Sequence, residues 1–251
     1  MIKKITSLFL LFCICSCSPD AIEDCFTSAG NKETREIELA AFDKITIRKN
    51  IELQITYSEN QQISIEAGSK KLNDIILNLK EDHLEIKAND LCASGFKNPP
   101  YIIHLKTPNL KEIRNSSQFK VQSKNTLHFD ELTLISENYN DNSALAIGDF
   151  NLDLNTNELF ISHAGISDFY LKGTSNYLNI GFYTGSGRIF GESLVANKID
   201  IYHRGFGDVH VFPIEEISGE LLSTGNLILH NNPMHIDVDR LLTGQIIFKN
   251  E

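Results

Sequence analysis

From Arg35 to about Thr107, apolar and polar residues alternate with a period of two. Ile37 and Leu39 alternate with Glu36 and Glu38, Ile45 and Ile47 with Lys44, Thr46 and Arg48, and Ile51, Leu53 and Ile55 with Glu52, Gln54 and Thr56. Such alternation sends successive side chains to opposite faces, so it predicts half-buried strands and not helices. Ile63 and Ile65 continue the pattern, Lys70 to Ile76 predicts a single helical turn or a bent connection, and Glu81-Asp82 predicts a hairpin within Leu77 to Ala88. Cys92, Gly95, Pro99 and Pro100 mark Asn89 to Pro100 as a loop before a strand at Tyr101 to Leu105.

Beyond Pro108 the pattern becomes repetitive. Leu110-Lys111-Glu112-Ile113 leads through Asn115-Ser116-Ser117 to Phe119-Lys120-Val121, and Leu132-Thr133-Leu134 leads through Asn142-Ser143 to Leu145-Ala146-Ile147. The same order recurs as Leu159-Phe160-Ile161 before Gly165, Ile180-Gly181-Phe182 before Gly185, and Ile199-Asp200-Ile201 before Gly205. Gly165, Gly185, Gly205 and Gly225 fall at 20-residue intervals, and Gly187 and Gly207 accompany two of them. A coil of that length holds short strands joined by tight corners but no crossover helix. The expected fold is therefore all-β: a right-handed β-helix-like solenoid of short strands over 109–251, preceded by a more antiparallel β portion over 35–108. The glycines are expected at corners that need left-handed backbone, with Asn and Ser replacing them in the two early coils.

The 20-residue register predicts columns. Phe169, Ile189, Val209 and Leu229 form an inward apolar ladder, with Asp168, Arg188 and Asp208 beside it as an alternating-charge ladder. His163, Tyr183 and His203 share a second column, and His210 and His230 a third. No carboxylate or cysteine sits at a supporting offset, so these histidines read as surface residues and no metal ligands are assigned. No cofactor is expected.

Charge and termini add a cellular address. The chain has 33 acidic against 23 basic residues and no Lys/Arg-rich run, which argues against nucleic acid as a partner. It has no Trp, the residue on which many sugar-binding platforms stack, although Tyr and Phe can substitute. Lys3 and Lys4 followed by the apolar run Ile5 to Cys15 read as a signal peptide over 1–16, too short for a membrane span. Ile14-Cys15-Ser16-Cys17 resembles the lipobox of bacterial lipoproteins, which makes Cys17 the lipidated residue and outer-membrane lipid a partner through its acyl chains. Residues 17–34 then form a polar, acidic tether, and 35–251 the β domain. Acidic residues after the cysteine resemble the surface-export signal of Bacteroidetes lipoproteins, so both surface and periplasm-facing placements stay open. In an oxidising compartment Cys25 and Cys92 form either a disulfide or two free buried thiols.

The chain after Ala41 resembles a family of bacterial lipoproteins, the auto-transporter adhesins with a head GIN domain. The residues that carry the resemblance are Phe42-Asp43-Lys44-Ile45-Thr46-Ile47, Leu84-Glu85-Ile86, Gly185-Ser186-Gly187, Gly205-Phe206-Gly207-Asp208-Val209 and Thr224-Gly225-Asn226 with Pro233. It implies a β-helical surface or periplasmic binding protein and brings no catalytic residues with it. The expected function is a non-catalytic envelope lipoprotein that binds a glycan or protein ligand. The alternative is a carbohydrate-active β-helix enzyme, for which Asp149 with Asp153 and Asp237 with Asp239 are the acid pairs to test. A third reading is an assembly module that pairs through a strand edge near Ile246-Ile247-Phe248. Gly185-Ser186-Gly187 opens a strand, so it is no dinucleotide fingerprint.

Overall fold

The computed structural model describes residues 29–89, 99–139, 141 and 143–249. The alternating stretch forms β1 (Lys32–Ile37), β2 (Lys44–Ile47), β3 (Ile51–Tyr57), β4 (Gln62–Gly68), β5 (Ile75–Lys80), β6 (His83–Ala88) and β7 (Tyr101–Thr107). In β3 the isoleucines and Leu53 are buried while Glu52 and Gln54 are half-exposed, as period two requires. The expected helical turn is a 3-10 turn at Leu72–Asp74, and the β5–β6 hairpin turns at Glu81, whose φ is 54°. β1 begins inside the stretch the sequence assigns to the tether and pairs antiparallel with β4.

The repetitive half forms β8 (Glu112–Asn115), β9 (Val121–Ser123), β10 (Leu127–Glu137), β11 (Phe150–Gly165), β12 (Phe169–Gly185), β13 (Ile189–His203), β14 (Val209–Leu221), β15 (Leu227–Leu229), β16 (His235–Arg240) and β17 (Ile246–Phe248). All belong to one strongly curled mixed sheet of 17 strands that forms a half-barrel with almost no helix. The antiparallel pairs, β1–β4, β4–β7 and β5–β6, lie before Pro108; from β8 onward every pairing is parallel.

Two differences from the expected strands have clear causes. β11 to β14 are 13 to 17 residues long, not short, because the chain bends inside the strands while keeping most of its ladder pairing, broken locally by register shifts. Gly173 in β12 and Gly219 in β14 carry two of those bends, with φ of 109° and 127°. Leu145 to Ile147, expected as a strand, is a turn; Ala146 there lies beneath Gly165 and accepts the Ile166 N–H through its carbonyl at 2.9 Å.

Two apolar ladders run across the sheet from strand to strand. One passes from Leu84 and Ile45 through Ile113, Leu134, Ile161 and Ile180 to Ile201. The other passes from Leu53 through Val121, Phe150, Phe169, Ile189 and Val209 to Leu227 and Ile246. Val209 pairs with Leu227, and Leu229 pairs with Val211, so Leu229 is not the residue in the expected column. The closing turn is shorter than 20 residues. Except for the part-buried Ile246, both ladders lie in one contiguous buried core, where each side chain stabilises the fold by about 1.5–3 kcal/mol.

Candidate functional site

Side chains that point away from the core on β12, β13 and β14, and on the residue just after β15, meet their equivalents on the neighbouring strand. Tyr170 on β12 stacks on Phe190 of β13 with ring centroids 4.8 Å apart and planes 5° from parallel. Phe190 in turn lies 5.8 Å from His210 of β14, and His210 lies 5.3 Å from His230. The parallel register, Tyr170 opposite Phe190 opposite His210, produces this row directly. Beside it, the Arg188 guanidinium sits 5.1 Å above the Phe190 ring and donates to Asp168 Oδ2 at 2.6 Å. Tyr170 is 41% exposed and the Arg188 side chain 51%, so aromatic edge and cation are open to a partner, while the Asp168 carboxylate that holds the cation is buried.

Of the expected charge ladder, Asp168 and Arg188 are joined, while Asp208 does something else. Asp149, Asp168, Asp208 and Asn226 each use a side-chain oxygen to accept a backbone N–H from the next turn, at 2.9, 3.0, 3.1 and 3.0 Å. These three carboxylates and one amide replace ladder bonds at a corner where strands do not pair, which is the structural use of Asx residues. A second polar row, Asn157, Asn176 and Asn197, links successive turns by amide hydrogen bonds of 2.9 and 3.0 Å.

The expected column of His163, Tyr183 and His203 is corrected. The β11–β12 pairing before the shift already places Phe182 opposite His163, the β12–β13 pairing places it opposite His203, and the shift after His163 leaves Tyr183 as the extra residue, 51% exposed. His163 and His203 are wholly buried and are not surface residues. Burial pushes the His163 imidazole down to about 4, and burial likewise lowers His203, although its Nε2 bonds the Gly207 carbonyl at 2.9 Å.

Gly185 has a φ of 96°, whereas Gly165, Gly187, Gly205, Gly207 and Gly225 lie outside the left-handed region. What several of these share is contact. A Cβ on Gly187 would lie 2.3 Å from the Ser167 carbonyl and 2.6 Å from His163 Nε2, and one on Gly225 2.3 Å from His203 Nε2. These glycines give neighbouring turns room to approach and give buried imidazoles room to lie flat. Cys17, Cys25 and Cys92 lie outside the described residues.

Two clefts are polar. One of about 360 Å³ is lined by residues including Thr46, His83, Arg48 and Arg114. Its arginines are already engaged, Arg48 by Glu85 and Asp141 and Arg114 by Glu137 at 2.9 Å. The Ser143 hydroxyl and Arg48 hold the Asp141 carboxyl at about 2. The other, of about 460 Å³, lies between β1, β4 and β7, with Glu36, Glu38, His104 and Lys106 on its wall. Of the acid pairs, Asp149 is bonded to the Asp168 N–H and Asp153 pairs with Lys172 at 3.1 Å. Asp237 and Asp239 are exposed on β16.

Residues 41–233, most of the chain, match the family described as "Putative auto-transporter adhesin, head GIN domain". The chain belongs to this head GIN adhesin family. The motifs from Phe42 to Pro233 that suggested it lie within the matched span. Three solved structures share the head GIN fold at low identity. A putative adhesin of Bacteroides fragilis is 20% identical, with 87% of this chain and 97% of that one covered and a TM-score of 0.76. A putative lipid binding protein of Parabacteroides distasonis is 18% identical over 88% and 98%, with a TM-score of 0.64. A putative adhesin of Parabacteroides merdae is 17% identical over the same shares, with a TM-score of 0.54. No curated protein matches the chain. No helix among the described residues of this head GIN chain is long and apolar enough to cross a membrane.

Proposed function

We propose that this head GIN protein is a non-catalytic lipoprotein of the cell envelope, and that it presents a rigid stack of β-coils for adhesion to a protein or glycan ligand. The single observation that carries the reading is the Tyr170, Arg188 and Phe190 cluster, held in register on the outer wall. Tyrosine and arginine dominate the energetics of protein interfaces, and a pre-ordered surface loses little entropy when it binds. The solenoid reading draws support from the parallel pairing of β10 to β14 and from the Asx and Asn rows, which repeat once per turn. The commitment of Asp149 to a corner bond and of Asp153 to Lys172 favours binding over hydrolysis at that pair. The name of the Parabacteroides distasonis relative raises lipid binding, and the cleft between β1, β4 and β7, where Ile37, Leu39, Phe42 and Ile63 lie beside Glu36, Glu38 and Lys106, is where that reading would be tested.

The test is a glycan and matrix-protein array, run beside an assay for polysaccharide turnover. Retention without product is expected, and Tyr170→Ala and Arg188→Ala should each weaken it by about tenfold, as truncation of an interface anchor does. Lys198→Ala, further along β13, should leave it unchanged; product formation would overturn the reading. The envelope address is tested separately at Cys17. Cys17→Ala should abolish globomycin-sensitive processing and release the chain from the membrane fraction, and unchanged fractionation would rule the anchor out.

A second reading, assembly through a strand edge, draws on β16 and β17. Among the described residues each pairs on one side only, and Ile236, Ile247 and Phe248 are exposed on them.

A further inference from the structure

The end of the outer row holds chemistry that adhesion does not use. His210 Nδ1 and His230 Nε2 are 3.0 Å apart, and a carboxylate oxygen of Glu192 joins them, with all three donor atoms within 4.8 Å of one another. The 20-residue register hides this carboxylate. β13 loses its regular pairing with β14 between Phe190 and Val195, and Glu192 lies in that irregular stretch, beside His210 instead of one strict repeat away.

We propose that Glu192, His210 and His230 bind a late first-row divalent cation of the Zn²⁺ class. Two imidazoles and one carboxylate are a donor set that such ions accept, and the chain supplies three ligands while leaving a fourth position for water or a ligand atom. A tetrahedral ion with bonds of about 2.0–2.1 Å separates its donors by roughly 3.3 Å, so the imidazoles need only a slight spread from their present contact. Without an ion, the two rings can share one proton; the cation takes that proton's place. The ring of Phe190, stacked against His210 at 23°, fixes the imidazole plane and shields one side from water. Burial lowers the His210 pKa, the Glu192 and Asp208 carboxylates raise it, and His230 and Lys249 lower it. His210 and His230 are half-buried and Glu192 is exposed, so the ion can enter from solvent. This site does not depend on whether Tyr170 and Arg188 contact a partner.

The test is calorimetric titration of the untagged full chain with Zn²⁺ alone. One ion per chain is expected, and His210→Gln and His230→Gln should each weaken binding by about tenfold or more, Glu192→Gln by somewhat less. His235→Gln, an exposed histidine on β16, should change nothing. All three site residues are at least partly exposed, so the variants should melt like the parent without metal. X-ray absorption of the Zn²⁺ complex should show two imidazole nitrogens at about 2.0 Å. No binding at millimolar Zn²⁺, binding that survives all three substitutions, or a sulfur-dominated absorption spectrum would each overturn the proposal.

Discussion

Gly185→Ala should destabilise the protein by about 3 kcal/mol or more, while Gly205→Ala, one turn along, should cost less than about 1 kcal/mol. The two glycines occupy equivalent places in the repeat, so the difference comes from geometry. Gly185 has a φ of 96°, and a Cβ there would lie 1.9 Å from the Gly165 carbonyl oxygen and 2.7 Å from its carbon. That carbonyl cannot retreat, because it already accepts the N–H groups of Ser186 at 3.0 Å and Gly187 at 3.3 Å. An alanine must therefore adopt a disfavoured backbone conformation and also separate two turns of a stack whose spacing is set by ladder bonds on either side. At Gly205 the nearest atom to a Cβ would be the Gly185 oxygen at 3.1 Å, with His203 Cε1 at 3.3 Å, a squeeze relieved by a few tenths of an ångström. For a chain of this size the contrast should appear as a fall of about 10 °C in Tm for Gly185→Ala against about 2 °C for Gly205→Ala. Equal melting of the two variants would show that close packing of the turns does not govern these positions.

That contrast also shows where the sequence is legible. The strands before Pro108 follow from period-two alternation, since a half-buried strand has to alternate, and the hairpin at Glu81-Asp82 is where the pattern puts it. The glycine spacing marks the repeat because one turn of backbone must approach the next. What a fixed spacing cannot carry is a change of register. A β11–β12 offset shorter than 20 residues puts Phe182 and not Tyr183 in the inner column, the short closing turn exchanges Leu227 for Leu229, and the irregularity in β13 brings Glu192 to His210. Gly173 and Gly219 carry bends of their own but lie off the 20-residue series, so periodicity gives no sign of them. The outer row of Tyr170, Phe190 and His210 was within reach of the same register that predicted the inner ladder, since each residue directly follows an inner-ladder position. Asp149 looks like a candidate acid in sequence, and Asp168 like a rung of a charge ladder, because the backbone N–H groups they accept from are not revealed by a side-chain pattern.

Acidification from pH 7 to pH 4 should remove about 3 kcal/mol of stability through His163 alone. Its imidazole is wholly buried, 4.4 Å from the Phe182 ring and 5.6 Å from Phe169, and neither ring nitrogen has a hydrogen-bond partner. Burial holds its folded pKa at about 4, against an ordinary 6.5 when the chain is unfolded. Between those values the unfolded chain takes up a proton that the folded chain refuses. The stabilising contribution is therefore complete above about pH 6.5 and is lost as the pH falls toward 4. His203, lowered by the same burial, adds to the loss in that direction. The carboxyl of Asp141 titrates in the folded chain at about 2, so its contribution is lost at lower pH than that of His163. His163→Leu should remove most of the dependence between pH 6.5 and 4. It exchanges an unpartnered imidazole for an apolar side chain among aromatic rings, so stability at pH 7 should hold or rise while stability at pH 4.5 exceeds that of the parent. Denaturant unfolding of both proteins at pH 7, 5.5 and 4.5 measures the effect directly. Parallel stability curves would mean that His163 is not the group whose protonation unfolds the stack.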